Sequence, residues 1–79
     1  MSRYTFEEKS QMREHAKALI NEVGVSASME DLNEHYEYAS VLIATLPSDG
    51  VCTDEEATEW KFQLGTAQAQ ATERLESLS

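Results

Sequence analysis

The chain has 79 residues, 41% of them hydrophobic, with six Lys or Arg against fifteen Asp or Glu and a formal charge of −9 at pH 7. That length makes one small domain, residues 1–79, and the apolar share is enough for a core, which sets the chain apart from disordered sequences. Charge of this sign excludes phosphate-directed nucleic-acid binding and adhesion to an anionic membrane, both of which need clustered Lys and Arg.

The sequence opens without the apolar run of about 7–15 residues that an export signal requires. Nothing in it approaches the roughly 18 apolar residues of a membrane span. Its one cysteine, Cys52, has no partner for an internal disulfide. These features point to a reducing, cytoplasmic setting. Thr5-Phe6-Glu7-Glu8 reads as a capping box, in which a hydroxyl and a carboxylate satisfy backbone N–H groups that the first turn leaves open. A helix over about 6–23 follows, with Met12, Ala16, Leu19, Ile20 and Val23 as its apolar stripe. Gly24 suits the left-handed residue that ends it.

Ser28-Met29-Glu30-Asp31 is a weaker box and opens a second helix, about 29–46. Its stripe, Met29, Leu32, Tyr36, Ala39, Ile43 and Leu46, steps by three and four without a miss. Pro47 biases Leu46 away from helix and starts the turn Pro47-Ser48-Asp49-Gly50. Thr53-Asp54-Glu55-Glu56 opens the third and longest helix, about 54–77. Its stripe is Ala57, Trp60, Leu64, Ala67, Ala71 and Leu78, with Arg74 interrupting it and Leu75 beside it. No segment reads as a strand. Short connections and a period near 3.5 predict an all-α, antiparallel three-helix bundle, or a hairpin with a looser first helix.

Charge is patterned on this frame. Lys9, Arg13 and Lys17 form a basic stripe on helix 1, and Glu30, Glu34 and Glu37 an acidic stripe on helix 2. A hairpin turning at Gly24 sets Lys17 near Glu30 or Glu34 and Arg13 near Glu37, as register-fixing ion pairs. A groove for an anionic ligand at the basic stripe is the lesser reading, because the facing carboxylates repel such a ligand. Asp54, Glu55, Glu56 and Glu59 crowd the start of helix 3, where the helix dipole favours them. Too few cations remain to answer them, and the surplus points to a partner with a basic face.

Helix 3 spans roughly 36 Å against about 27 Å for the others. Its end should overhang, leaving Ala71, Leu75 and Leu78 as an apolar face for a partner helix or a second copy. Gly65 lies inside it, offset by close packing or marking a kink. Phe62, beside Lys61, is an exposed anchor or else faces helix 1.

No phosphate loop, GxSxG, HExxH or CxxC occurs, so no catalytic constellation and no cofactor is expected. His15 and His35 share a hairpin level with Asp31 nearby, but read better as flanking residues than as metal ligands. Cys52 lies among Asp49, Asp54, Glu55 and Glu56, which hold a thiol protonated.

The sequence thus reads as a small acidic binding protein, not an enzyme. It would engage a basic surface of a partner protein through Glu30, Glu34, Glu37, Asp54, Glu55, Glu56 and Glu59. Its charge balance is that of DNA-mimicking inhibitors of nucleic-acid-binding complexes, including phage-encoded ones, an analogy of composition alone. The alternative is a structural or chaperone-like helical module that self-associates, as a homodimer, or holds a partner helix through Phe62, Ala71, Leu75 and Leu78.

Overall fold

The computed structural model describes residues 4–78; Met1, Ser2 and Arg3, part of the segment read above for an export signal, lie outside the described residues, as does Ser79. Three helices follow one another: α1 Phe6–Gly24, α2 Met29–Thr45 and α3 Asp54–Leu78. Each pair packs together, so α1 is a full member of a three-helix bundle rather than a loose arm. Ring contact between His15 and Tyr38 and the bond between Ser26 and His35 run α2 antiparallel to α1. Arg13 meets Glu56 and Arg74 reaches Gly24, which sets α3 parallel to α1. The molecule is elongated, with extents of 49 × 19 × 14 Å.

Local capping starts each helix. The Thr5 hydroxyl accepts from Glu8 N–H at 3.1 Å, and Glu8 accepts in return from Thr5 N–H at 3.0 Å. Thr53 and Glu56 repeat the exchange at 3.1 and 3.3 Å. At Ser28 only the forward bond forms, from Asp31 N–H at 3.1 Å. Asp is one methylene shorter than Glu and does not close the box.

The helix ends fall within a residue of expectation, but one stop works differently. Gly24 is helical, and Val25 caps α1 at φ −109°, ψ 17°. The single positive φ among the described residues belongs to Gly50, at 76°, in the turn before α3. Gly24 instead brings its bare Cα to α3, where an added Cβ would lie 3.8 Å from that of Ala67. A hydroxyl replaces the glycine cap, because buried Ser26 donates to the carbonyls of Val23 and Glu22 at the end of α1.

The core holds Ala16, Leu19, Ile20 and Val23 of α1, Leu32, Ala39 and Ile43 of α2, and Ala57, Trp60, Leu64, Ala71 and Leu75 of α3. Leu46 and Val51 close its lower end from the connection between α2 and α3. Two expectations fail here. The cross-hairpin ion pairs do not form: Arg13 bonds Glu56 of α3, and Lys17 bonds Glu14 of its own helix. Residue numbers summing to a constant give the level of a contact along the bundle and say nothing of which flank faces it. Arg13 and Gly24 share the flank of α1 turned to α3, whereas His15 lies on the flank turned to α2.

The apolar overhang is also missing. Ala71 is fully buried and Leu75 is 9% exposed, so neither is open to a partner. Arg74 folds back over the α1–α2 connection, donating to the carbonyls of Gly24 and Ser26 at 3.2 and 2.8 Å. That clasp keeps the last turns of α3 against the bundle and leaves Leu78 alone outside. The helix runs unbroken through Gly65. Among the described residues, no helix is long and apolar enough to cross a membrane.

Candidate binding surface

Seven carboxylates were marked by the sequence, and the fold treats them unequally. Glu56 is taken up inside the molecule. The Arg13 guanidinium grips both its oxygens, one through Nη1 at 2.9 Å and the other through Nη2, while Thr53 N–H donates to the first. The Arg13 bond, and after it the Thr53 N–H, hold this carboxyl below the ordinary value of 4.5. The same pair raises Arg13 further above its ordinary range, and the guanidinium carbon stands 5.5 Å from the centre of the Trp60 ring. Glu56 therefore belongs to the scaffold, not to an outer acidic face.

Glu30, Glu34, Glu37, Asp54, Glu55 and Glu59 are all exposed, and no cation pairs with any of them among the described residues. They do not gather into one patch. Glu30 stands at the start of α2, at the end of the bundle where α1 finishes; Asp54 and Glu55 stand at the other end, where α2 finishes. About 23 Å of helix lies between Glu30 and the start of α3, with Glu34, Glu37 and Glu59 at levels between those ends.

Each group lies beside exposed apolar side chains. On α2, Glu30, Glu34, Glu37 and Val41 recur at steps of four, three and four on the outer face, with Tyr38 on its edge. Tyr38 is 58% and Val41 61% exposed. These two line a depression of about 290 Å³ together with Glu34 and Glu37. The Tyr38 ring is met edge-on by His15 of α1, with centroids 6.4 Å apart and planes at 79°. On α3, Glu55, Glu59 and Phe62 share the outward face, and Phe62 is 75% exposed, which answers the choice between anchor and core in favour of the surface. Leu78 is exposed too, but four turns further on.

The basic stripe of α1 does not survive as a site. A second hollow, about 310 Å³, is lined by Phe6, Lys9, Ser10, Arg13 and Val51, but the charge of Arg13 is already met by Glu56 and Lys17 is bound to Glu14. Among the described residues, Lys9 is the cation of this stripe without a carboxylate partner.

Ser26 and His35 form a contact the sequence reading missed, with Oγ and Nδ1 3.2 Å apart. The hydroxyl thus lies within hydrogen-bond distance of the Val23 and Glu22 carbonyls and of the imidazole, with the direction of the last bond set by the tautomer of His35. Ser26 is 2% exposed, so its hydroxyl is closed off from any substrate. The pair ties the end of α1 to α2. Its only sequence signal is a small hydroxyl residue just past a helix end. His15 and His35 thus do separate jobs, and among the described residues no three His, Cys, Asp or Glu side chains are grouped to hold a metal ion. Cys52 is half-buried; burial first, then Glu56, pushes its thiol up.

Compared with family models, with curated proteins and with solved structures, the chain matches none.

Proposed function

We propose that this is a small, non-enzymatic binding protein that engages a basic surface on a partner protein through its outward carboxylates. One observation carries the reading: three of the six cations are spent within the fold. Arg13 goes to Glu56, Lys17 to Glu14 and Arg74 to two backbone carbonyls, while among the described residues no cation pairs with Glu30, Glu34, Glu37, Asp54, Glu55 or Glu59. Self-repulsion of this kind costs stability that solubility alone does not demand, and a cationic partner would relieve it. Inhibition of a nucleic-acid-binding complex by occupying its basic groove is the form of this activity that the charge balance favours. The unpaired thiol is the ground for placing it in the cytoplasm.

The test is capture of partners from host lysate on the immobilised protein at low and at physiological salt. Capture should fall steeply as salt rises, and should be lost when Glu30, Glu34, Glu37, Asp54, Glu55 and Glu59 are all changed to Gln. Partners held equally at both salts, or held by the Gln variant, would overturn the reading. The helical module using the end of α3 has lost its surface, since Ala71 and Leu75 lie in the core.

A further inference from the structure

Charge alone leaves part of the α2 surface unexplained. A target made only of cations would be met by Glu30, Glu34 and Glu37, and Tyr38 and Val41 would remain in water between them. Exposed apolar side chains set among charges mark a surface meant to be covered by protein. Tyr38 is also braced, since His15 meets its ring edge-on, so one wall of the depression is preset. The face of α3 is poorer: Phe62 stands next to Lys61, and the other large exposed apolar residue of that helix is distant Leu78.

We infer that the depression lined by Glu34, Glu37, Tyr38 and Val41 receives one aliphatic side chain from a basic amphipathic helix of the partner. The carboxylates fix the occupant's chemistry. Glu30, Glu34, Glu37 and Val41 climb α2 by steps of about 6, 4.5 and 6 Å. A helix laid along α2 repeats its own side chains at the same rises, so Lys or Arg at three- and four-residue spacing would meet the three glutamates. Its next residue on that face would enter beside Val41. This rests on the binding role proposed above and narrows the partner within it.

The experiment titrates the full-length, isotope-labelled protein with two synthetic Ala-rich helical peptides of equal positive charge. Both carry Lys and Arg at three- and four-residue spacing; one bears Leu at the position facing Val41 and the other Ser. The Leu peptide should bind about tenfold more tightly, the gain expected when one aliphatic side chain leaves water. Amide shifts should centre on residues 30–41. The advantage should disappear in the Tyr38→Ser, Val41→Ser double variant, whose melting temperature stays near that of the parent. Equal binding of the two peptides, or shifts centred on Glu55 to Phe62, would overturn the inference and leave the acidic binding role standing. Failure of both peptides to bind at low salt would overturn both.

Discussion

Arg13 joins three features that the sequence keeps apart. Its fork closes on Glu56, its plane lies by Trp60, and the carboxylate it holds is also the capping partner of Thr53. The start of α3 and the flank of α1 are thereby one joint. Because the folded state holds Glu56 below 4.5, its contribution is complete above the ordinary carboxylate range and is lost as pH falls through the lowered folded value. Thermal melts of the parent and of Glu56→Gln should therefore differ most above about pH 5, and the gap should close as the solution is acidified toward pH 3. A constant gap would show that Glu56 acts through packing alone. Ser26→Ala removes a donor to the α1 carbonyls and the hydrogen-bond partner of His35 Nδ1. It should cost about 1 kcal/mol in a urea titration, with the slope unchanged.

At the scale of the element, helix starts were the most legible part of the chain, because a hydroxyl and a carboxylate three residues on act within one turn. Thr5 with Glu8 and Thr53 with Glu56 needed no tertiary information. The partner of Arg13 did, since rotation about the axis of α1 decides between Glu37 and Glu56, and periodicity does not specify that angle. Length misled as well: 25 residues in α3 suggested an overhang, and the clasp of Arg74 on the Gly24 and Ser26 carbonyls removes most of it. Of the site, the exposed glutamates were legible as a surplus; the Tyr38 and Val41 depression was not, because both residues lie off the apolar stripe that periodicity picks out on α2. Gly65 carries no left-handed φ, and a Cβ there would meet nothing within 4 Å. Gly65→Ala should stabilise by about 0.5–1 kcal/mol, raising the melting temperature by roughly 2–8 °C. Leu75→Asp should destabilise by about 3 kcal/mol or more, whereas Leu78→Asp should stay within about 0.5 kcal/mol of the parent. Equal effects at these two positions would contradict the packing described for the last turn.

For the molecule as a whole, the balance of −9 on a body 49 Å long makes repulsion a persistent opponent of folding. The Debye length falls from about 30 Å at 0.01 M salt to about 8 Å at physiological strength, so added salt should screen this repulsion more than it weakens the Arg13–Glu56 and Lys17–Glu14 pairs. The melting temperature should rise with sodium chloride in calorimetry; a fall would mean that the Arg13–Glu56 joint outweighs the field of the remaining carboxylates. The lone thiol then offers a practical return. Cys52 lies half-buried beside that joint, with burial and Glu56 keeping it protonated. Alkylation by iodoacetamide should be slow at the closed, protonated thiol and faster when the corner between α2 and α3 opens, and each chain can take up only one adduct there. The labelling rate is accordingly a native clock for breathing at the base of the bundle, and tighter closure, by salt or by a bound partner, should slow it.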